Sequence, residues 1–329
     1  MTATLALVFI IGLCIGSFLN VIILRSLSGE SIVLPASKCP KCQEKLKWWH
    51  NIPVISYILL RGKCGFCKEP IGFQYPAVEL ITGIAFALIF LKSRFLLMPA
   101  YLLYAWAVVS LLIVIAGTDI REKVVFSKHT YALTALGLTW ALVWTVIGLL
   151  QFGSFHEAVK TLSGIILYIP LVSSLLGIIA GVIIMEAAAR LGYLIAGTRA
   201  FGEGDTFIAA ALGAVCGWRF LLVILALSLI IQMIFTLPVF TKKLLVRKDY
   251  KTLITSGLFF IYAIGFFLTQ RHGMLDNTWV YAAAAVILSA MGLYLCKLII
   301  SGIKQNPDSL TYLPFGPAMA VAGLLVLIL

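Results

Sequence analysis

The chain has 329 residues, of which 62% are hydrophobic and 12% charged, and its mean hydropathy is +1.07. A soluble globular domain carries an apolar share of about 45–50%, so this composition excludes that class and describes a polytopic membrane protein. The net charge of +12 lies in loops between apolar runs, the distribution of the positive-inside rule, and no nucleic-acid partner is expected.

The run from Leu5 to Leu24 has no basic residues before it, is too long for a signal-peptide core and is followed by Arg25 rather than a small-residue cleavage site. It is expected to be retained as a first transmembrane segment over residues 1–25. From Arg25 to about Tyr75 the apolar pattern stops, and basic residues such as Lys38, Lys41, Lys45, Lys47 and Lys63 place this 26–75 loop in the cytoplasm. Apolar runs follow at 76–91, 96–117, 130–150 and 161–185, each near the ~20 residues a helix needs to cross a bilayer.

Phe207 to Phe240 is too long for one ordinary span, and Gly213, Gly217, Trp218 and Arg219 offer a break into a short helix and a full one. Two passes there return Lys242, Lys243, Arg247 and Lys248 to the cytoplasm. Runs at 254–270 and 279–300 form a further hairpin, and the last run follows Pro314-Phe315-Gly316-Pro317. The expected fold is an all-α polytopic membrane protein with about eight to ten transmembrane or partly embedded helices and a small cytoplasmic zinc-binding loop. Residues 76–329 form its membrane domain. No fixed-period repeat marks the chain.

Seven cysteines divide into Cys39-Pro40-Lys41-Cys42, Cys64-Gly65-Phe66-Cys67 and three singles, Cys14, Cys216 and Cys296, read as packing residues. Four thiolates in two CxxC pairs, within a Pro/Gly/Lys-rich loop that has no sizeable apolar core, match tetrahedral structural zinc. The alternative is a pair of disulfides or redox-active CxxC motifs, which a reducing cytoplasm disfavours.

Asp119 follows the third apolar run, and Asp205, in Gly202-Glu203-Gly204-Asp205, precedes the sixth, so alternation puts both on the cytoplasmic side. Two close carboxyl groups cannot both ionise easily, and such a pair can run acid/base hydrolysis of a peptide bond. Gly202 and Gly204 clear space beside Asp205. The competing reading is that Asp205 caps a helix and Asp119 sits in a solvated loop; spacing alone leaves both open. Glu79, in the second span, reads as a supporting group, and Glu186 and Glu203 are further acids. His50, His129, His156 and His272 lack metal-ligand spacing and read as loop residues.

Together these residues resemble the prepilin peptidase (type IV leader peptidase) family of GxGD-type membrane aspartic proteases. The resemblance runs through Gly16-Ser17-Phe18-Leu19-Asn20-Val21; Pro35, Ser37, the CxxC pairs, Trp48, Asn51-Ile52-Pro53, Ser56 and Leu60-Arg61-Gly62-Lys63-Cys64; Tyr75-Pro76 with Glu79; Asp119; Gly202-Glu203-Gly204-Asp205; and Pro314-Phe315-Gly316-Pro317. It implies catalysis by Asp119 and Asp205, with Gly202, Gly204, Glu79, Asn20, Pro314 and Gly316 supporting or binding substrate, and a structural zinc on Cys39, Cys42, Cys64 and Cys67. It also implies cleavage of a prepilin or pseudopilin leader in the bacterial inner membrane, after glycine and before phenylalanine or a similar residue. Many members N-methylate the new terminus with S-adenosylmethionine, although this sequence carries no cofactor fingerprint. The chain departs from the family at Lys123-Val124-Val125-Phe126-Ser127-Lys128, where many members carry proline, and at about 241–311, which adds a membrane hairpin.

Two other functions fit the residues less fully. A proton- or cation-coupled transporter with a zinc-stabilised loop would use Glu79 and the aspartates for ions, but no pair of matching broken helices in two halves accompanies them. A non-catalytic assembly protein would leave Asp119 and Asp205 far apart.

Overall fold

A computed structural model describes residues 2–33, 37–93, 99–152, 169–196, 201–246, 248–271 and 314–328, with isolated helical positions between 286 and 298. Pro35, His156, His272, Cys296 and most of the expected 279–300 segment lie outside the described residues. The helices are α1 (Thr2–Ser28), the short α2 (Ile55–Leu59), α3 (Gln74–Ser93), α4 (Pro99–Glu122), α5 (Ser127–Phe152), α6 (Pro170–Ala196), α7 (Glu203–Val246), α8 (Tyr250–Arg271) and α9 (Gly316–Ile328). Six of them are long and apolar enough to cross a membrane: α1, α3, α4, α5, α6 and α7. Pro76, Pro99, Pro170 and Pro317 each fall in the first turn of a helix, where a missing N–H costs nothing.

The chain forms two compact units, one of residues 1–188, 201–229 and 314–329, the other of residues 189–200 and 230–313. In the first unit, α1 and α3 approach closely through glycine. A Cβ on Gly12 would lie 2.7 Å from Gly83 Cα, and one on Gly16 2.7 Å from Glu79 Cα. Small residues allow this backbone approach, the commonest device for joining helices where lipid supplies no hydrophobic drive. Leu19, Ile23, Val78 and Val114 then close a core between α1, α3 and α4. A second glycine contact joins α6 to α7, with Gly177 and Gly213 backbone to backbone, while Gly137 of α5 packs on Ala214. Large apolar side chains such as Leu7, Ile10, Ile84 and Phe220 point outward, as a lipid-facing surface requires.

The expected break in the long apolar run is at Gly217, whose φ of 76° and ψ of 167° interrupt α7. Residues 203–216 thus make a short helix, about 21 Å long at 1.5 Å per residue. Three expectations need correction. The third run continues to Glu122 rather than ending near 117, which puts Asp119 on a helix rather than in a loop. His129 is not a loop residue: α5 begins at Ser127, and the buried His129 ring shares a 3.2 Å hydrogen bond with Ser26 Oγ of α1. Cys14 does not fill a core, since it lies exposed along α1, where lipid tolerates a small apolar side chain.

Candidate active site

Asp119 occupies the last turn of α4 and Asp205 the first turn of α7, and both are buried, at 5% and 7% exposure. They lie within coulombic reach of one another. The two helix ends are held differently. Asp205 is anchored by its own loop: Oδ2 accepts a 3.0 Å hydrogen bond from Gly202 N–H, and Asp205 N–H donates to the Gly202 carbonyl at 3.2 Å. At Asp119, by contrast, Oδ2 is buried without a hydrogen-bond partner, while the Gly316 N–H approaches the carboxyl. An orphaned carboxylate oxygen inside a protein is costly and marks a place where water or substrate belongs.

The glycines clear that place. A Cβ on Gly316 would collide with the Asp119 carboxyl and come within 2.8 Å of Ile208 Cδ1, so a larger residue there would displace the aspartate side chain. Gly204 packs on Val125, where a Cβ would sit 2.8 Å from the valine Cβ. Val125 belongs to the α4–α5 connection that lacks proline; Lys123 ends α4 in a left-handed conformation (φ 55°), its N–H reaching the Asp119 carbonyl at 2.9 Å, and the chain then delivers Val125 to the Gly202–Asp205 turn. Phe315, next to Pro314, makes an edge contact with Phe201, with ring centroids 5.0 Å apart, so the segment before α9 rests on the segment before α7.

The four-cysteine loop is built from two copies of one turn, 25 residues apart. Cys39 N–H donates to Glu44 O at 3.0 Å and Gln43 N–H to Cys39 O at 2.9 Å; Cys64 N–H donates to Glu69 O at 2.8 Å and Lys68 N–H to Cys64 O at 3.1 Å. Gln43 and Lys68 take the same left-handed conformation, each with φ 61°. Cys39, Cys42, Cys64 and Cys67 bring their sulfurs within 4.8 Å of one another, and Cys39 Sγ to Cys67 Sγ is 3.9 Å. A tetrahedral zinc with bonds of about 2.3 Å needs sulfurs about 3.8 Å apart, so the Cys39–Cys67 separation fits zinc and is too wide for a disulfide, and all four cysteines are free thiols. The N–H groups of Cys67 and Phe66 pull the Cys64 thiol down to about 7. The Glu44 N–H pulls the Cys42 thiol down, but desolvation and the neighbouring thiols of Cys39 and Cys67 together push it up to about 11. Four thiolates cannot ionise side by side without a cation, and a dication such as zinc would supply it.

Glu79 ties this loop to α3, and Asn20 ties α1 to the start of α3. The Glu79 carboxyl accepts a 2.7 Å hydrogen bond from Val54 N–H, at the start of α2, and another from the Ser17 hydroxyl. Val54 is held at φ 61°, a conformation a β-branched residue adopts only under constraint. Asn20 Nδ2 donates to Tyr75 O at 3.0 Å and Gly16 O at 3.4 Å.

The model of the bacterial peptidase A24 N-terminal domain matches residues 10–93, and that of the type IV leader peptidase family matches residues 106–237. A prepilin leader peptidase/N-methyltransferase of Klebsiella pneumoniae is 34% identical over 64% of this chain and 84% of its own length. The chain belongs to the type IV leader peptidase family. Another relative of that name, from Myxococcus xanthus, is 34% identical over 66% of the chain and 57% of its own length; one from Neisseria gonorrhoeae is 30% identical over 68% and 78%. No solved structure matches.

Within this family member, the described residues bring Asp119, Asp205, Gly202, Gly204 and Gly316 to one place, while Glu79 and Asn20 stand with the cysteine loop instead. Sequence reasoning missed Val125, Val54 and the pairing of Ser17 with Glu79. Ser17 stands one position after the close-contact Gly16, about 100° around α1, so adjacency to the glycine did not mark it as a partner of Glu79. Val125 and Val54 carry no polar group to single them out.

Proposed function

We propose that the chain is a membrane-embedded aspartic endopeptidase that removes the basic leader from type IV prepilins or pseudopilins and methylates the new N-terminus with S-adenosylmethionine. The observation that carries the peptidase reading is that Asp119 and Asp205 lie within coulombic reach of one another, beside a glycine whose missing Cβ leaves room at the Asp119 carboxyl. One carboxylate takes a proton from water, which attacks the scissile carbonyl carbon; the other, protonated, donates to the carbonyl oxygen and then supports loss of the amine as the C–N bond breaks. Asp119, with the orphaned oxygen, is the group placed to hold the water, and Asp205 is the group fixed in position by Gly202 N–H.

The substrate's apolar helix enters from the bilayer of the inner membrane while its basic leader stays on the cytoplasmic side with the 26–75 loop. Cys39, Cys42, Cys64 and Cys67 hold a structural zinc with no open position, so the metal orders the loop and does not activate water. Residues 76–329 form the catalytic membrane domain. The extra segment near 241–311 is an addition to it, a reading supported by the family model's end at residue 237 and by the separate compact unit of 230–313. Relatives named N-methyltransferase support the second activity.

Co-expression with candidate prepilins tests the reading. Mass spectrometry is expected to show leader loss and a 14 Da methyl increment on the mature terminus. Unprocessed prepilins beside a folded, zinc-loaded protein would contradict it.

A further inference from the structure

The four-cysteine loop turns a hydrophobic edge outward. In α2, Ile55, Ile58 and Leu59 fall within about 100° of one another around the helix axis, and all three are exposed, Leu59 at 76%. The other face of α2 is occupied: a Cβ on Gly62 would lie 3.1 Å from the Tyr57 hydroxyl, and one on Gly65 3.6 Å from Leu60 Cδ2. A 3-10 turn over Trp48–Asn51 packs beside α2, and its Trp48 is 74% exposed, edge-on to Trp49 with ring centroids 5.4 Å apart. Lys47 Nζ sits 5.1 Å from the centre of the Trp49 ring, and the exposed Arg61 follows soon after α2. Exposed apolar side chains grouped on one edge and bordered by charge mark an interaction surface.

Glu79 sets the level at which this edge lies. α3 has 20 residues, about 30 Å at 1.5 Å per residue, which is the thickness of the hydrocarbon core it crosses, so its first turns have no length to spare outside the bilayer. Glu79 lies five residues after Gln74, about 7 Å further along the helix. Its Oε2 accepts the Val54 N–H at 2.7 Å, and Val54 is held at φ 61°, so the start of α2 is pinned at that depth rather than standing off the membrane. Leu80, Ile81 and Ile84 face outward on α3 from the same level onward, so lipid begins where α2 is attached. Amphipathic segments rest with their apolar face about 5–10 Å into the headgroup–acyl boundary, and tryptophan and basic side chains collect at its polar border.

We propose that α2 and the turn before it form a membrane-interface anchor. Ile55, Ile58 and Leu59 enter the leaflet on the loop's side, Trp48 lies at headgroup level, and Lys47 and Arg61 meet anionic phospholipid headgroups. Charge selects lipid over the substrate as the occupant: a basic leader would meet Lys47 and Arg61 as like charges, whereas phosphatidylglycerol complements them. The cysteine loop is then held by the bilayer on its outer edge as well as by its own turns and sulfurs, and the anchor requires neither catalytic reading.

The test uses the full chain in nanodiscs of phosphatidylcholine and phosphatidylglycerol. Lipids brominated near the headgroup end of their acyl chains are expected to quench the part of the tryptophan fluorescence that Trp48→Phe removes; an unquenched Trp48 component overturns the anchor. A Leu59→benzoylphenylalanine variant, illuminated and read by mass spectrometry, should give lipid adducts with phosphatidylglycerol enriched over its share of the disc, and Lys47→Gln/Arg61→Gln should abolish that enrichment. Adducts confined to a second copy of the chain or to added prepilin, with none to lipid, overturn the proposal in favour of a protein partner. Lipid adducts in the disc's own proportions overturn the role of Lys47 and Arg61 alone.

Discussion

The cysteine loop and the aspartate site each hold reactive groups in fixed positions, but by opposite means. In the loop the described side chains bury little: Cys39 and Cys64 are its buried apolar residues, while Ile58 and Leu59 stand 66% and 76% exposed. Backbone turns and four sulfurs provide its order. Around the aspartates the reverse holds, with Ile115, Thr118, Ile208 and Ala209 fully buried and glycines setting helix separation. The loop's geometry therefore rests on its turns and its sulfur cluster, which could hold a metal ion, whereas the aspartates' geometry is tied to side-chain volume.

Perturbing one region should leave the other's signature intact. The largest effect is expected from Asp119→Asn or Asp205→Asn, each lowering leader-cleavage rate by about 10³-fold or more, since removal of an acid/base group costs typically 10²–10⁴. Zinc content, measured by metal analysis, stays at that of the unmutated chain. Next comes Gly316→Ala, whose methyl would press on the Asp119 carboxyl; about a 10²-fold loss in kcat/KM is expected, again with zinc retained.

A chelator should do the converse, exposing the 37–72 segment to protease while far-UV helicity largely persists. Acid acts in the same direction. A thiol depressed in the folded loop contributes stability above its ordinary value and loses it as pH falls through the folded one. For Cys64 the backbone donors alone set that window from 9.0 down to about 7, and a dication extends it lower, so zinc release on acidification, followed by a colorimetric chelator, should reverse on neutralisation. The smallest effect is expected for Lys68→Gly, which relieves a left-handed backbone at φ 61° and should raise the loop's resistance to denaturant by about 0.5–1 kcal/mol.

The same contrast explains what the sequence made legible. Ligand chemistry is written locally, so two CxxC pairs predicted the sulfur cluster, and a glycine in an overlong apolar run predicted the break at Gly217. The aspartate site is made by residues far apart in the chain: Gly316 against Asp119, nearly 200 positions away, and Val125 against Gly204, about 80. Order along the chain matched the family, but approach depends on helix packing that no local pattern encodes. Apolar contacts such as Val125 gave no chemical signal. Helix ends were misjudged where a polar residue stayed helical, as at Asp119.

The central claim is that water, activated between Asp119 and Asp205, hydrolyses the leader's peptide bond. Single-turnover cleavage of a prepilin in ¹⁸O-labelled water, read by mass spectrometry of the released leader, tests it directly. The unmutated chain should release a leader bearing one ¹⁸O in its new terminal carboxylate, and the Asp119→Asn/Asp205→Asn double variant should release none. Release of labelled leader by the zinc-loaded double variant at the unmutated rate would contradict it.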